Sequence, residues 1–277
     1  VNLSSFRTLS FVFILTGLFM SLSACSVFAD GINIYPLRTE IKNGQRYATI
    51  NVLNRSNDHP VSYSISLITM RMQENGKLVA PETFTKREQI SQKIVKFSPK
   101  RAQIIPGGSQ SVRVLIRRPP NLPDGEYMVY MKIIPTVQPA KTPASSEVQT
   151  DVKMNIKTVV GMSCPIIVYQ GDPTSQTTVV DATMMAKSPL GKPAIKLFLD
   201  RTGGKSSYVA ANIYSTVGGE KKLIATRRRI PIFMPLKRRT EFVPITDVTF
   251  TGGPVLIELT DVTDPKKGVI GSKKMTL

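Results

Sequence analysis

Few residues in this 277-residue chain have the types and spacing that catalytic chemistry requires. The single histidine, His59, sits in Asn57-Asp58-His59-Pro60, a string with the composition of a turn. A hydrolytic Ser/His/Asp site would have to use His59 as its base, and nothing near it resembles a nucleophile elbow. One histidine and two cysteines cannot assemble the common metal constellations. Gly203-Gly204-Lys205-Ser206 has the look of a phosphate loop, but the upstream glycine and the following helix are missing, so it reads as a hairpin turn. No enzyme activity, no cofactor and no metal site are expected.

The charge points elsewhere. Lys and Arg number 37 against 19 Asp and Glu, a formal +18. Such an excess favours acidic partners or surfaces, nucleic acid among them. The N-terminus argues against nucleic acid. Arg7 precedes the apolar run Phe11–Met20, which is too short for a transmembrane helix but right for a signal peptide. Val27-Phe28-Ala29 then offers a cleavage site, so residues 1–29 are expected to be removed and stable membrane insertion is not. A mature chain would lose only Arg7 from its charges, leaving 36 basic against 19 acidic residues, or +17. The competing reading is Leu22-Ser23-Ala24-Cys25, which resembles a lipobox and would leave a lipidated Cys25. In either case Cys164 has no intrachain partner, and it reads as a small buried hydrophobe. Only Arg227-Arg228-Arg229 and Lys237-Arg238-Arg239 cluster tightly. They read as a solvated sheet face that blunts strand edges.

The elements that must carry any site are strands. Apolar alternation recurs near residues 32–41, 46–54, 60–72, 90–97, 110–117, 125–134 and 147–168, with turn residues between. Pro106-Gly107-Gly108-Ser109 is such a turn. No window shows a sustained helical period. Asp124-Gly125-Glu126-Tyr127 running into an alternating strand has the look of a tyrosine corner, the bend into the sixth strand of an immunoglobulin-like sandwich. Tyr127, Val129, Met131 and Ile133 share one face of that strand. Residues 135–147, rich in Pro, Ser and Thr, read as a long flexible loop. Tyr169-Gln170-Gly171-Asp172-Pro173 reads as a hinge. Beyond it, strands near 176–185, 194–200, 207–215, 221–233, 240–247, 254–261 and 268–276 predict a second, smaller β-sandwich. The expected fold is all-β, with domains at 30–168 and 174–277 joined by a hinge at 169–173.

Several strings then resemble one family, the periplasmic chaperones of chaperone–usher pilus assembly, in the archaic or alternative branch. They are Phe97-Ser98-Pro99-Lys100-Arg101, Ile105-Pro106-Gly107-Gly108-Ser109-Gln110-Ser111-Val112-Arg113, Leu122-Pro123-Asp124-Gly125-Glu126-Tyr127, Ser163-Cys164-Pro165-Ile166-Ile167-Val168 and Leu199–Ser206. The resemblance spans nearly all of the mature chain and is more specific in the first half. It implies two immunoglobulin-like domains in a boomerang, partners that are pilus or fimbrial subunits and an outer-membrane usher, and a periplasmic location. It also implies donor-strand complementation, in which the chaperone lends its own last first-domain strand to an incomplete subunit sandwich.

Under that resemblance, Val148, Val152, Met154 and Ile156 would fill the subunit groove. They share even parity with Thr158 and Val160, while Lys153 and Lys157 face the other way. From periodicity alone this would be an ordinary half-buried strand. Arg38 falls where the family's arginine anchors the subunit's terminal carboxylate, a task that suits its planar fork. Lys157 is the assisting lysine implied, with Lys153 next. The alternative function is a structural or adhesive two-domain sandwich, lipid-anchored at the cell envelope through Cys25.

The expected mature protein begins at Asp30. Mass spectrometry of the protein purified after export checks this, and a diacylated Cys25 would contradict it.

Overall fold

Pro36 sets the first turn of the fold. It has no amide proton to give to a ladder, so the expected strand 32–41 is two strands. In a computed structural model, which describes residues 31–136 and 159–277, β1 (Ile32–Tyr35) pairs with β3 (Tyr47–Asn54). After the bend, β2 (Thr39–Ile41) crosses to another sheet and runs parallel to β11 (Met162–Gln170). The other strands of this half are β4 (Val61–Ile68), β5 (Arg71–Met72), β6 (Leu78–Val79), β7 (Val95–Ser98), β8 (Arg101–Ile104), β9 (Ser109–Ile116) and β10 (Gly125–Pro135).

The two main sheets have the orders β1-β3-β9-β7 and β2-β11-β10-β4-β8. With β1 as A, β3 as B, β9 as E and β7 as D, the first sheet is the ABED layer of an immunoglobulin-like sandwich. Strands β11, β10 and β4 supply G, F and C of the other layer. The alternating residues face inward as expected. Tyr127, Val129, Met131 and Ile133 are buried against Ile50, Val52, Val112, Val114, Ile166 and Val168. Each such side chain stabilises the fold by roughly 1.5–3 kcal/mol. The tyrosine corner is present: the Tyr127 hydroxyl donates to the Pro123 carbonyl at 2.6 Å.

The second half forms its own sandwich. Strands β12 (Ser175–Met185), β13 (Ala194–Gly203) and β16 (Arg238–Pro244) make one sheet. The other is β15-β14-β17-β18, from β14 (Ser207–Ser215), β15 (Lys222–Ile232), β17 (Pro254–Asp261) and β18 (Val269–Thr276). Its core, with Leu197, Leu199, Ile213, Ile230 and Ile257 at its centre, shares no residue with the first.

Four expectations are corrected. Only the second half of the expected strand 90–97 is a strand: residues 90–94 belong to helix α1 (Lys86–Ile94), and β7 begins at Val95. Its start is fixed by a capping box, with Thr85 Oγ1 accepting from Glu88 N and Glu88 accepting from Thr85 N. Its polar sequence KREQISQKI buries little beyond Ser91 and Ile94, so it shows no clear apolar period. Within the expected strand 147–168, residues 159–161 lie outside any strand, β11 begins at Met162, and residues 147–158 lie outside the described residues. Strand β11 also runs on through Tyr169 and Gln170, which the sequence placed in the hinge. Finally, Thr202–Ser206 is no hairpin. Strands β13 and β14 lie in different sheets, so this segment arches between the layers. Arg201 holds the arch, donating to the carbonyls of Gly203, Lys205 and Leu236 at 2.8–2.9 Å.

Tyr127→Phe removes one hydrogen bond and keeps the ring in the core. It should lower stability by about 1 kcal/mol. Urea unfolding followed by far-UV circular dichroism checks this, and an unchanged midpoint would show that the corner contributes nothing.

Candidate functional site

The bend at Pro36-Leu37-Arg38 that separates β1 from β2 also brings Arg38 against the second sandwich. Its guanidinium carbon lies 3.6 Å from the centroid of the Tyr208 ring on β14. A cation over an aromatic face at this distance contributes about 0.5–2 kcal/mol, more as water is excluded. Arg38 Nη2 also forms an ion pair with Glu40, two residues on in β2. That pair leaves capacity unused: Nε and Nη2 are both buried and make no hydrogen bond of good geometry. Two phenols nearby are in the same state. Tyr130 and Tyr169 are 3% and 7% exposed; neither hydroxyl makes a hydrogen bond of good geometry, although Arg38 lies beside that of Tyr169. Burial pushes both phenols, and that of Tyr208, above the ordinary tyrosine range. They are neutral donors near a fixed cation. Buried donors without acceptors are costly, and an anionic acceptor such as a carboxylate would satisfy several at once.

A second buried group fixes the junction itself. Glu126, the second residue of β10, is 2% exposed. Its carboxylate accepts from the amide of Ser206 at 2.7 Å and from the Ser206 hydroxyl, while its own amide donates to the Gly204 carbonyl at 3.2 Å. The Ser206 hydroxyl in turn accepts from Met234 N. Glu126 therefore clamps the arch of the second sandwich onto the first. A further contact lies at the β5–β6 hairpin. Thr240 N on β16 donates to Glu74 O, and Arg239 Nη1 reaches the Met72 sulfur at 3.2 Å. Between these contacts is a cavity of about 260 Å³ lined by Met70, Met128, Met234 and Pro235.

Arg38 is the one expected site residue within the described part, and it lies at the junction with a buried, partly unsatisfied head. Val148, Val152, Met154, Ile156, Lys153 and Lys157 lie outside the described residues, as do residues 1–29 with Cys25. Val160 is 72% exposed, and Cys164 is buried, its thiol pushed up to about 11 by burial. The basic clusters need one correction. Arg228 and Arg229 are exposed, but Arg239 is 7% exposed and pairs with Glu241, so it belongs to the contact between the sandwiches and not to a solvated face. His59 sits in the β3–β4 turn, with Nδ1 2.6 Å from Asp58 and 2.9 Å from Ser56 Oγ. Sequence reasoning missed Glu40, Glu126, Tyr130, Tyr169, Ser206 and Tyr208. The one signal available was Glu126, a carboxylate at the start of a largely apolar strand whose only other charge is Lys132.

No protein-family model and no curated protein matches the chain. Among solved structures it is similar to the class 5 fimbriae chaperone CfaA, at 13% identity and a TM-score of 0.48, over 89% of this chain and 98% of that one. It is similar to a chain of the CsuC–CsuE chaperone–tip adhesion subunit complex of archaic Csu pili from Acinetobacter baumannii, at 15% identity and a TM-score of 0.44, over 89% and 97%. The E. coli chaperone DraB is similar at 14% identity and a TM-score of 0.45, over 90% and 96%.

Burial holds the Glu126 carboxyl above the ordinary glutamate range, against the opposing pull of Ser206 and the fields of Arg38 and Arg201. Above the ordinary value near 4.5 the unfolded chain ionises while the native carboxyl still holds its proton. The native state then binds more protons, so this group's contribution to stability falls as pH rises, until the native carboxyl ionises too. Glu126→Gln should remove that downward slope. Urea midpoints of both proteins from about pH 4 to about pH 8 test this, and parallel profiles would contradict it.

Proposed function

We propose that the chain is a periplasmic chaperone that caps pilus subunits by donor-strand complementation and passes them to an outer-membrane usher. One observation carries the reading: an unsatisfied cation lies beside a half-open strand edge. Strand β11 pairs with β10 along its whole length, from Met162 to Gln170. On its other side it pairs with β2 only at Ile166–Val168. Among the described residues, Met162–Pro165 therefore have no ladder partner on that side. An edge of this kind accepts another chain's strand through main-chain hydrogen bonds. Arg38, one bend away from β2, offers a buried guanidinium to a carboxylate.

A subunit that adds its last strand along β11 would bring its terminal carboxylate toward Arg38. Lys157, or Lys153, would assist from the donor segment. The even-numbered residues Val148, Val152, Met154 and Ile156 would enter the subunit's open groove, with the same parity as Cys164, Ile166 and Val168 in this chain's own core. Covering such a groove keeps an apolar surface from aggregating. In this reading the chain works in the periplasm after its signal peptide is removed, and it needs no cofactor.

The test is co-expression with a pilus subunit and measurement of soluble subunit in periplasmic extract. Arg38→Ala should abolish recovery, because losing one partner of a desolvated charge pair costs about 2–5 kcal/mol. Met154→Asp should do the same by placing a charge in an apolar groove. Circular dichroism of both variants should match the unaltered chain. Normal subunit recovery with both substitutions would overturn the reading.

A further inference from the structure

The junction holds a second cation and an internal carboxylate, and both bear on how the Arg38 site is filled. Lys205 lies on the arch between β13 and β14. Its Nζ sits 4.9 Å from the centroid of the Tyr169 ring, across the junction from its own sandwich. It forms no ion pair among the described residues, although Arg227, Arg238 and Arg239 on the same sandwich all do. Among the described residues Glu40 is the only carboxylate paired with Arg38, and the pair is partly open to water, with side chains 20% and 34% exposed. Lys205 and Glu40 line the same two cavities of about 420 and 490 Å³ that open at the junction. Arg38 lines neither cavity, but its partner Glu40 lines both, so an anion entering either space meets Glu40 and Lys205 together.

We propose that Lys205 is a second cation of the carboxylate anchor and that Glu40 is an internal stand-in which an incoming carboxylate displaces from Arg38. The inference rests on the chaperone reading and assigns two residues to its anchor. Glu40 lies on β2 only two residues after Arg38 in the bend, so its carboxylate reaches Nη2 but leaves Nε, and the hydroxyls of Tyr130 and Tyr169, without an acceptor of good geometry. A free carboxylate is not bound by that tether and can meet the planar fork with two parallel hydrogen bonds. Glu40 swings into the open cavity at little cost, since an exposed ion pair contributes little. The released Glu40 charge then faces Lys205, which lines the same space. The exchange keeps Arg38 neutralised when no ligand is bound and selects for a terminal carboxylate over an internal peptide carbonyl.

The probe is N-acetyl-trialanine as the free acid and as the C-terminal amide, titrated into the full mature chain and followed by amide chemical shifts in NMR. The free acid should move signals near residues 38–40, 169 and 204–206, and the amide should not. Removing the competitor with Glu40→Gln should tighten the free acid about two- to fivefold. Lys205→Ala should weaken it by a similar factor, about two- to fivefold. Asp172→Asn removes a charge that lines the same cavities without pairing with Arg38, and should change affinity by less than about twofold. If the acid binds, Arg38→Ala abolishes binding, and Glu40→Gln and Lys205→Ala leave affinity unchanged, the inference fails while the carboxylate anchor stands. If Glu40→Gln and Asp172→Asn tighten binding equally, Glu40 acts only through net charge and the displacement idea is wrong. If no variant, Glu40→Gln included, distinguishes acid from amide, the anchor reading itself falls and takes the inference with it.

Discussion

The arrangement of the two sandwiches depends on one buried carboxylate, that of Glu126. Burying a carboxyl group is costly unless its hydrogen-bonding capacity is filled. Here it is filled from across the junction by the amide and hydroxyl of Ser206. Ser206 can offer both groups only because the arch before it is locked by Arg201 onto three backbone carbonyls. Gly203 makes the arch possible, with φ of +91° and a backbone so close to Thr174 that a Cβ would lie 2.3 Å from its carbonyl oxygen. Two apolar cores that share no residue could pack at many angles. A clamp of directional polar groups permits few, which is how buried polar groups confer specificity at a cost in stability.

The same clamp sets the chemistry of Arg38. Tyr208 stands two residues beyond Ser206, so fixing Ser206 places the Tyr208 ring over the guanidinium. Glu126 is engaged with Ser206, and Glu40, which pairs with Arg38, is tethered two residues away. The result is a cation that is electrostatically compensated and still short of hydrogen bonds. That combination suits reversible capture. A fully satisfied arginine would bind nothing, and an uncompensated one would destabilise the junction.

Much of this fold was legible as alternation. The inward set of β10 and the tyrosine corner could be read because apolar and polar residues take strict turns and because Asp-Gly-Glu-Tyr is a local signal. The order of strands in the second half was legible for the same reason. What escaped were features decided by distant partners. Helix α1 is held by its cap and by Arg71 gripping Glu88 at 2.6 and 2.8 Å, and neither produces an apolar period. The arch at 202–206 has the composition of a hairpin, and only the sheet assignment of β13 and β14 separates the two. Arg239 reads as a surface charge until Glu241 and the β5–β6 hairpin are seen around it. Arg38 was singled out only through family resemblance. Its neighbours Tyr130, Tyr169 and Tyr208 were not, because they are scattered over 79 positions of sequence and meet only in space.

Edge protection explains the charge and the half-open strand together. A chain with many sheet edges risks pairing with other chains along each of them. Here the long edges are guarded. Strand β15 carries Lys222 and three consecutive arginines, and a register shift opposite Val209–Ala211 leaves Arg227, Arg228 and Arg229 all exposed where strict alternation would turn one inward. Strand β18 carries Lys273 and Lys274, β16 carries the exposed Arg238, and β12 carries Asp181 at a bulge of its own. Strand β11, with the sequence MSCPIIVYQ, has no charge in nine residues. Among the described residues it is guarded only by β2, which covers three of them. Much of the positive charge thus lies along edge strands such as β15 and β18, where it opposes pairing with other chains, and none of it lies on β11. Had the charge served a nucleic-acid or membrane surface, it would be gathered on one face. Its dispersal along edge strands is what the capping reading requires.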